Sequence, residues 1–108
     1  MTATLQIKVP NQAKLGEVIM LRAKLRHPME TGWRKDSAGK TVPRKRAYKF
    51  FCEFEGQEVF RADLHSGISA DPYLAFYTKA LRSGRYRFKW YEDGGRVYEK
   101  SATIEVIS

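Results

Sequence analysis

The sequence predicts an all-β fold, namely a seven-strand immunoglobulin-like β-sandwich. Most of its segments alternate apolar and polar residues with a period of two, which is typical of strands with one buried face. Turn residues rich in glycine and proline separate these segments, and a chain of 108 residues has the size of one ordinary domain. We therefore expect a single domain over residues 1–108, with no helix longer than two turns.

The first four predicted strands precede residue 65. Residues 5–9 alternate and end at a proline, and residues 17–26 place an aliphatic side chain at every second position. In residues 48–54, Tyr48, Phe50, Cys52 and Phe54 alternate with Lys49, Phe51 and Glu53. A tight turn at Glu55-Gly56-Gln57 then leads into a short strand at residues 59–64.

The last three predicted strands occupy the C-terminal half. Residues 73–80 fit both a helical face and a strand, and their aromatic content favours the strand. Residues 85–91 alternate clearly. The sequence Glu92-Asp93-Gly94-Gly95 indicates a hairpin turn, because these residue types tolerate positive φ. Residues 97–107 complete the sandwich.

Three connections should meet at one end of this sandwich. In a seven-strand immunoglobulin order, the connections at residues 27–45, 65–72 and 92–96 emerge on the same side. The first two mix Gly, Pro, charged and aromatic residues, a mixture that strand connections rarely need. We therefore expect this end to be the functional one.

A formal net charge of +8 favours anionic partners. These could be nucleic acid, an acidic protein surface or small oxyanions, although a merely solvated surface explains the charge equally well. Between Arg85 and Trp90 the cations alternate with aromatics and so fall on the opposite strand face, which argues against direct nucleic-acid binding. A free-standing basic domain that binds anionic ligands or nucleic acid stays as the alternative function.

No enzyme is indicated, because no catalytic motif holds the Ser, His and Asp residues. His27 and His65 could approach each other with Glu30, Asp63 or Asp71 to bind a metal. Their spacing does not support a metal site, and two loop histidines hydrogen-bonded to backbone are the better interpretation. We expect neither a metal nor a cofactor.

Cys52, the single cysteine, alternates with core-facing aromatics. The period of two places Tyr48, Phe50, Cys52 and Phe54 on the buried side. We therefore predict a buried, unreactive thiol, since burial disfavours the thiolate.

The N-terminus has no basic and apolar segments of a signal peptide, and no apolar run is long enough to span a membrane. The sequence ends in Ile104-Glu105-Val106-Ile107-Ser108, without a Gly-rich tail or a terminal cysteine.

Two stretches carry a family resemblance, His27-Pro28-Met29-Glu30-Thr31-Gly32 and Ala62-Asp63-Leu64-His65 with the following residues 68–74. With Phe50-x-Cys52-x-Phe54-x-Gly56 and Trp90-x-x-Asp93, they resemble the SoxZ family over nearly the whole chain. Asp71 stands where the pattern leads us to expect Asn, and Trp33 where polar residues are usual.

The resemblance implies a subunit without an active site that pairs with SoxY, another β-sandwich. SoxY bears sulfur intermediates on a cysteine near its Gly-rich C-terminus, and the heterodimer shuttles them among the periplasmic enzymes that oxidise thiosulfate. The lack of a signal peptide would fit export together with a signal-bearing partner. The lack of a Gly-rich tail with a terminal cysteine would fit the role of SoxZ, not that of SoxY.

Residues of the two stretches and their neighbours are the candidate contacts to the partner or its cargo-bearing arm. They are His27, Met29, Glu30, Trp33, Arg34, Asp36, Arg44, Asp63, His65, Asp71 and Tyr73.

Overall fold

The structure, a computed structural model, describes residues 4–27, 29, 33–64 and 70–108. Every regular element within these residues is a β-strand, which confirms the all-β prediction. The eight strands are β1 (Thr4–Lys8), β2 (Gln12–Lys14), β3 (Val18–Arg26), β4 (Ala47–Phe54), β5 (Gln57–Asp63), β6 (Tyr73–Lys79), β7 (Gly84–Glu92) and β8 (Val97–Ile107). In these ranges the structure has no helix that could cross a membrane.

The strands form two sheets that enclose the core, as in an immunoglobulin-like sandwich. One is three-stranded, in the order β1-β3-β6, and the other is five-stranded, in the order β2-β8-β7-β4-β5. All pairs are antiparallel except β2, which runs parallel to β8. The strand predicted at residues 73–80 is confirmed as β6.

β2 is one strand more than the sequence predicts. After Pro10 the chain leaves the three-stranded sheet and joins the edge of the other, where Ala13 is buried opposite Val106. A segment of three residues is too short for its periodicity to be recognised, and its partner lies at the far end of the sequence.

Aromatic side chains fill the space between the sheets. Phe50, Phe88 and Trp90 are fully buried, and the ring centroids of Phe50 and Trp90 lie 4.6 Å apart. Phe60 of β5 stacks on Phe76 of β6 at 4.2 Å, so this pair joins the two sheets directly. Close packing of this kind makes the core sensitive to small volume changes.

The predicted inward orientation of Tyr48 is wrong. The pairing of β4 with β7 shifts register between Ala47 and Lys49, so that Ala47 is buried and Tyr48 is 39% exposed. A bulge changes which side chains face the core, and the local sequence pattern does not reveal it.

Cys52 lies in the middle of β4 and is fully buried, as predicted. Burial, with a smaller contribution from the neighbouring charge of Glu53, raises the pKa of the thiol to about 12. The thiolate, which is the reactive form, is therefore disfavoured in the folded protein.

Candidate functional site

The loops between β3 and β4 and between β5 and β6 are bonded to each other at one end of the sandwich. The Asp71 N–H donates to the His27 carbonyl at 2.9 Å, and the His27 N–H donates to Asp71 Oδ1 at 2.8 Å. The Leu25 N–H also donates to the Pro72 carbonyl at 3.0 Å. We call this end, with the β7–β8 turn at residues 93–96, the loop pole; its predicted assembly is confirmed.

A buried polar network lies under the loop pole. His27 Nε2 and Glu92 Oε2 are 2.5 Å apart, and the Tyr98 hydroxyl donates to the same oxygen at 2.7 Å. The Met29 N–H donates to His27 Nδ1 at 2.9 Å. Because Nδ1 accepts this bond, the imidazole proton is assigned to Nε2, which donates to Glu92. Both nitrogens of His27 are therefore engaged.

Glu92 is the acceptor at the centre of this network, and it is almost completely buried. Burial alone would raise its pKa, but hydrogen bonds from Tyr98 and His27 and the charge of Lys45 outweigh that effect and hold the pKa below its ordinary value. The Lys45 Nζ lies 3.7 Å from Glu92 Oε1. Burial and the carboxylate together raise the pKa of Tyr98 to about 12. The network therefore contains a buried carboxylate and a neutral phenol.

Two residues of the loop pole have a left-handed backbone, which is uncommon outside glycine. Met29 has φ of +54° and Asp71 has φ of +55°. Met29 is held by its bond to His27 and by its buried sulfur, which accepts the Ala47 N–H at 3.4 Å. Such strain persists only where the surroundings fix the conformation, and it occurs often at functional sites.

Residues 33–46 form a loop that turns back on itself, and we call this loop the basic arm. Lys35 bridges Thr41, and the Val42 N–H donates to the Arg34 carbonyl at 2.7 Å. Asp36 closes the tip, since its carboxylate accepts the N–H groups of Ala38 and Lys40 at 2.9 and 3.0 Å. The role of Asp36 in this structure is thus to shape the turn.

Asp93 fastens the base of the basic arm to the β7–β8 turn. Its carboxylate accepts the Arg46 N–H at 3.0 Å and a bond from Arg44 Nη2 at 3.2 Å, and its own N–H donates to the Arg46 carbonyl at 2.9 Å. The arm contains six Lys or Arg residues and one acid. The Trp33 side chain is 88% exposed. The arm therefore presents positive charge and one large aromatic ring beside the loop pole.

The structure places the predicted site residues in several different surroundings. His27 and Met29 are buried, so they can act on a partner only by shaping the surface above them. Trp33, Arg34, Asp36 and Arg44 belong to the basic arm, while Asp71 joins the two loops.

Asp63 lies beside Lys49 on the outer face of the five-stranded sheet, and Tyr73 lies opposite Lys24 on the outer face of the other sheet. Glu30 and His65 lie outside the described residues.

Sequence reasoning missed Glu92, Tyr98 and Asp93. The alternation that places Tyr86, Phe88 and Trp90 in the core also places Glu92 there, so this signal was present in the sequence. The contact of Glu92 with His27 could not be predicted from the sequence, because it joins residues 65 positions apart.

In the described ranges, no three His, Cys, Asp or Glu side chains are grouped so that they could hold a metal ion. The proposed set of His27 with His65, Glu30, Asp63 or Asp71 includes residues outside these ranges, and His27 itself is occupied by Glu92 and Met29. A shaped, basic binding surface is what the loop pole provides.

Comparison with known families decides the assignment. Residues 7–103 match the family described as Sulphur oxidation protein SoxZ. The chain belongs to the SoxZ family. It is therefore a subunit of the Sox sulfur-oxidation type, and the recognition of SoxZ motifs in the sequence is confirmed. No curated protein matches the chain.

Solved structures share the SoxZ chain's fold at low sequence identity. A superoxide reductase (neelaredoxin) from Ignicoccus hospitalis has a TM-score of 0.72 and 21% identity, covering 95% of this chain and 80% of that chain. The sulfur carrier protein SoxY from Chlorobium limicola f thiosulfatophilum has a TM-score of 0.67 and 14% identity, covering 96% and 79%. At these identities the likeness shows the fold alone.

Proposed function

We propose that this SoxZ chain is the non-catalytic subunit of a sulfur carrier and pairs with a cysteine-bearing SoxY-type chain. The observation that supports this most strongly is the family match over residues 7–103. A second support is the loop pole, which has a fixed, basic surface and a His27 whose two nitrogens are already occupied. The carrier chemistry then resides on the partner's cysteine, and this subunit supplies binding surface.

The basic arm and the loop pole contact the partner's sulfur-bearing arm in this proposal. Thiosulfate-derived groups on a cysteine are anionic, and the basic arm offers Arg34 and Arg44 beside the exposed ring of Trp33. His27, Met29 and Asp71 fix the backbone from which the arm extends. In this proposal the pair works in the periplasm.

Replacing Trp33 or Arg34 with Ala tests this proposal. Purified carrier pairs with either substitution should support thiosulfate-dependent turnover by the oxidising enzymes at least about tenfold less well, since aromatic and Arg side chains dominate binding surfaces. Thermal unfolding should change little, because neither residue belongs to the core.

Lys100→Ala is the matched control, because Lys100 is exposed on β8, away from the basic arm. Unchanged turnover in both arm variants would refute the role of the arm, as would a loss of turnover fully explained by unfolding. Lost turnover with subunit pairing intact would assign the arm to cargo handling.

A further inference from the structure

The outer face of the three-stranded sheet exposes apolar side chains of β3 and β6, which we call the apolar centre. Tyr77 is 70% exposed, Val18 58% and Tyr73 53%. Met20 lies directly opposite Tyr77 in the β3–β6 register, so these side chains are cross-strand neighbours on one surface. Aromatic residues and Met are enriched at protein interfaces relative to the remaining surface.

Cations lie between and beside these apolar side chains, and none of the strand positions on the same face is Asp or Glu. Lys8 of β1 lies directly opposite Arg22 of β3, and Lys24 lies opposite Tyr73. Like charges directly opposite each other destabilise a sheet. In the described part of the chain, no salt bridge relieves Lys8, Arg22 or Lys24. We call this surface of β1, β3 and β6 the basic face.

The opposite side of the sandwich is built differently. On the outer face of the five-stranded sheet, Lys89 pairs with Glu53 at 2.8 Å and Arg87 pairs with Glu99 at 2.9 Å. Charges of both signs therefore neutralise each other there, as on an ordinary solvated surface. The contrast shows that the unbalanced charge of the basic face is a local feature and does not simply follow from the net charge.

The strand at the edge of the basic face is also open. β6 pairs with β3 on one side, and no described strand pairs with its other side. Edge strands are commonly protected by proline, a bulge or an inward-pointing charge. The seven residues of β6, Tyr-Leu-Ala-Phe-Tyr-Thr-Lys, contain no proline, and their pairing with β3 has no register shift.

We propose that the basic face, including the open edge of β6, is the surface on which the SoxY-type subunit docks, and that the docking surface of that subunit is acidic. This inference rests on the proposed function and assigns subunit pairing to a surface separate from the loop pole. The apolar centre supplies contact area that is buried on binding, and the cations favour a partner of opposite charge. The partner's backbone can form hydrogen bonds with the unpaired N–H and C=O groups at the β6 edge.

Single-stranded nucleic acid is the competing occupant, since it also binds surfaces where basic and aromatic groups share a face. The protein partner is favoured by the open strand edge, which a nucleic acid cannot pair, and by the aliphatic members Val18 and Met20 of the centre. The experiment below separates the two.

Arg22→Glu and Tyr77→Ala are the test variants, measured by titration against a purified SoxY-type subunit. Each should weaken the pair at least about tenfold. Lys100→Glu, with the same change of charge, and Val59→Ala, at an exposed apolar position on β5, are the matched controls and should pair as the wild type does.

Arg22→Glu has a further signature. The new carboxylate faces Lys8 across the strands and removes a repulsion, so the folded variant should melt at or above the wild-type temperature while pairing is lost. If Arg22 had only a structural role, its replacement would lower the melting temperature and the pairing together. Hydrogen exchange in wild-type β6 should also slow when the partner is added.

The outcomes distinguish the inference from the proposed function. A wild-type chain that fails to pair with any SoxY-type subunit overturns the proposed function. A wild-type chain that pairs, with Arg22→Glu and Tyr77→Ala pairing equally well, overturns only the basic face. Binding of a random single-stranded oligonucleotide that Arg22→Glu abolishes, with subunit pairing unchanged, would also overturn it in favour of nucleic acid.

Discussion

Glu92 is a buried carboxylate that fixes the conformation of the two loops at the loop pole. It accepts bonds from His27, which follows β3, and from Tyr98 of β8, and His27 in turn bonds Met29 and Asp71. Buried polar networks of this kind are stabilising only when each member keeps its partner. A change at Glu92 should therefore reach both loops, although it removes no part of the apolar core.

Glu92→Gln should lower the free energy of unfolding by about 1–3 kcal/mol near neutral pH, because charge-assisted hydrogen bonds are lost. Since the pKa of Glu92 is lowered by folding, its ionised form stabilises the fold above the unfolded-state pKa. That stabilisation disappears as the pH falls through the folded-state pKa. Urea unfolding at several pH values should show the gap between variant and wild type narrowing below about pH 4.5.

Glu99→Gln is the control for this experiment, since Glu99 forms an exposed surface pair with Arg87 and should matter by less than about 1 kcal/mol. A Glu92→Gln protein as stable as the wild type at neutral pH would show that the network contributes nothing to folding.

Cys52 should react slowly with thiol reagents in the native protein and rapidly in denaturant. The side chain is fully buried, and its pKa of about 12 leaves little thiolate at neutral pH. Ser101→Cys in a Cys52→Ala background provides an exposed thiol on β8 as the reference rate. Equal native and denatured rates for Cys52 would mean that the β4 side-chain orientation is reversed.

At the scale of elements, the junction of β4 and β7 leaves no space at Gly84. A β-carbon there would lie 2.6 Å from Phe54 Cζ and 2.9 Å from Glu55 Cγ. Phe54 also packs on Tyr86 with ring centroids 4.6 Å apart, so the ring cannot simply move away. Only glycine fits this strand start without repacking.

Gly84→Ala should therefore destabilise the protein by about 1–3 kcal/mol, as overpacked cores do. Chemical denaturation measures this, and adding Phe54→Leu should recover part of the loss because the obstructing ring is removed. Ser101→Ala on exposed β8 is the neutral control. If the double variant is no more stable than Gly84→Ala, the clash with Phe54 is not the cause.

The sequence was most informative where an element is long and its pattern regular. β3 and β7 could be predicted almost to their ends because nine residues of strict alternation leave one orientation of the strand. β2 and the bulge near Tyr48 could not, since both depend on a partner strand distant in sequence. The candidate site behaves in the same way. The meeting of the loops could be predicted from the strand order, whereas the contact of His27 with Glu92 could not be predicted from the sequence.

For the whole molecule, strand order predicts where the fold opens first. β3, β4 and β7 have a partner on each side, whereas β5 and β6 lie at sheet edges and the basic arm belongs to neither sheet. Local opening is easiest where few partners hold the backbone.

Native-state hydrogen exchange should accordingly be slowest for β4 and β7, intermediate for β5 and β6, and fastest for residues 33–46. Mass spectrometry of the isolated chain measures all of them in one time course. Edge strands that exchange as slowly as β7 would contradict this order, and would indicate that the isolated chain already associates with itself.

The open edge of β6 finally bears on biosynthesis. Until another chain covers it, its backbone N–H and C=O groups can pair with any extended polypeptide, including a second copy of this chain. In the proposed pair, this risk grows with the amount of uncovered chain, so matched synthesis rates of the two subunits would protect the cell from orphan subunits. Overproduction of this chain alone should yield aggregates, whereas co-production with the covering chain should keep it in solution.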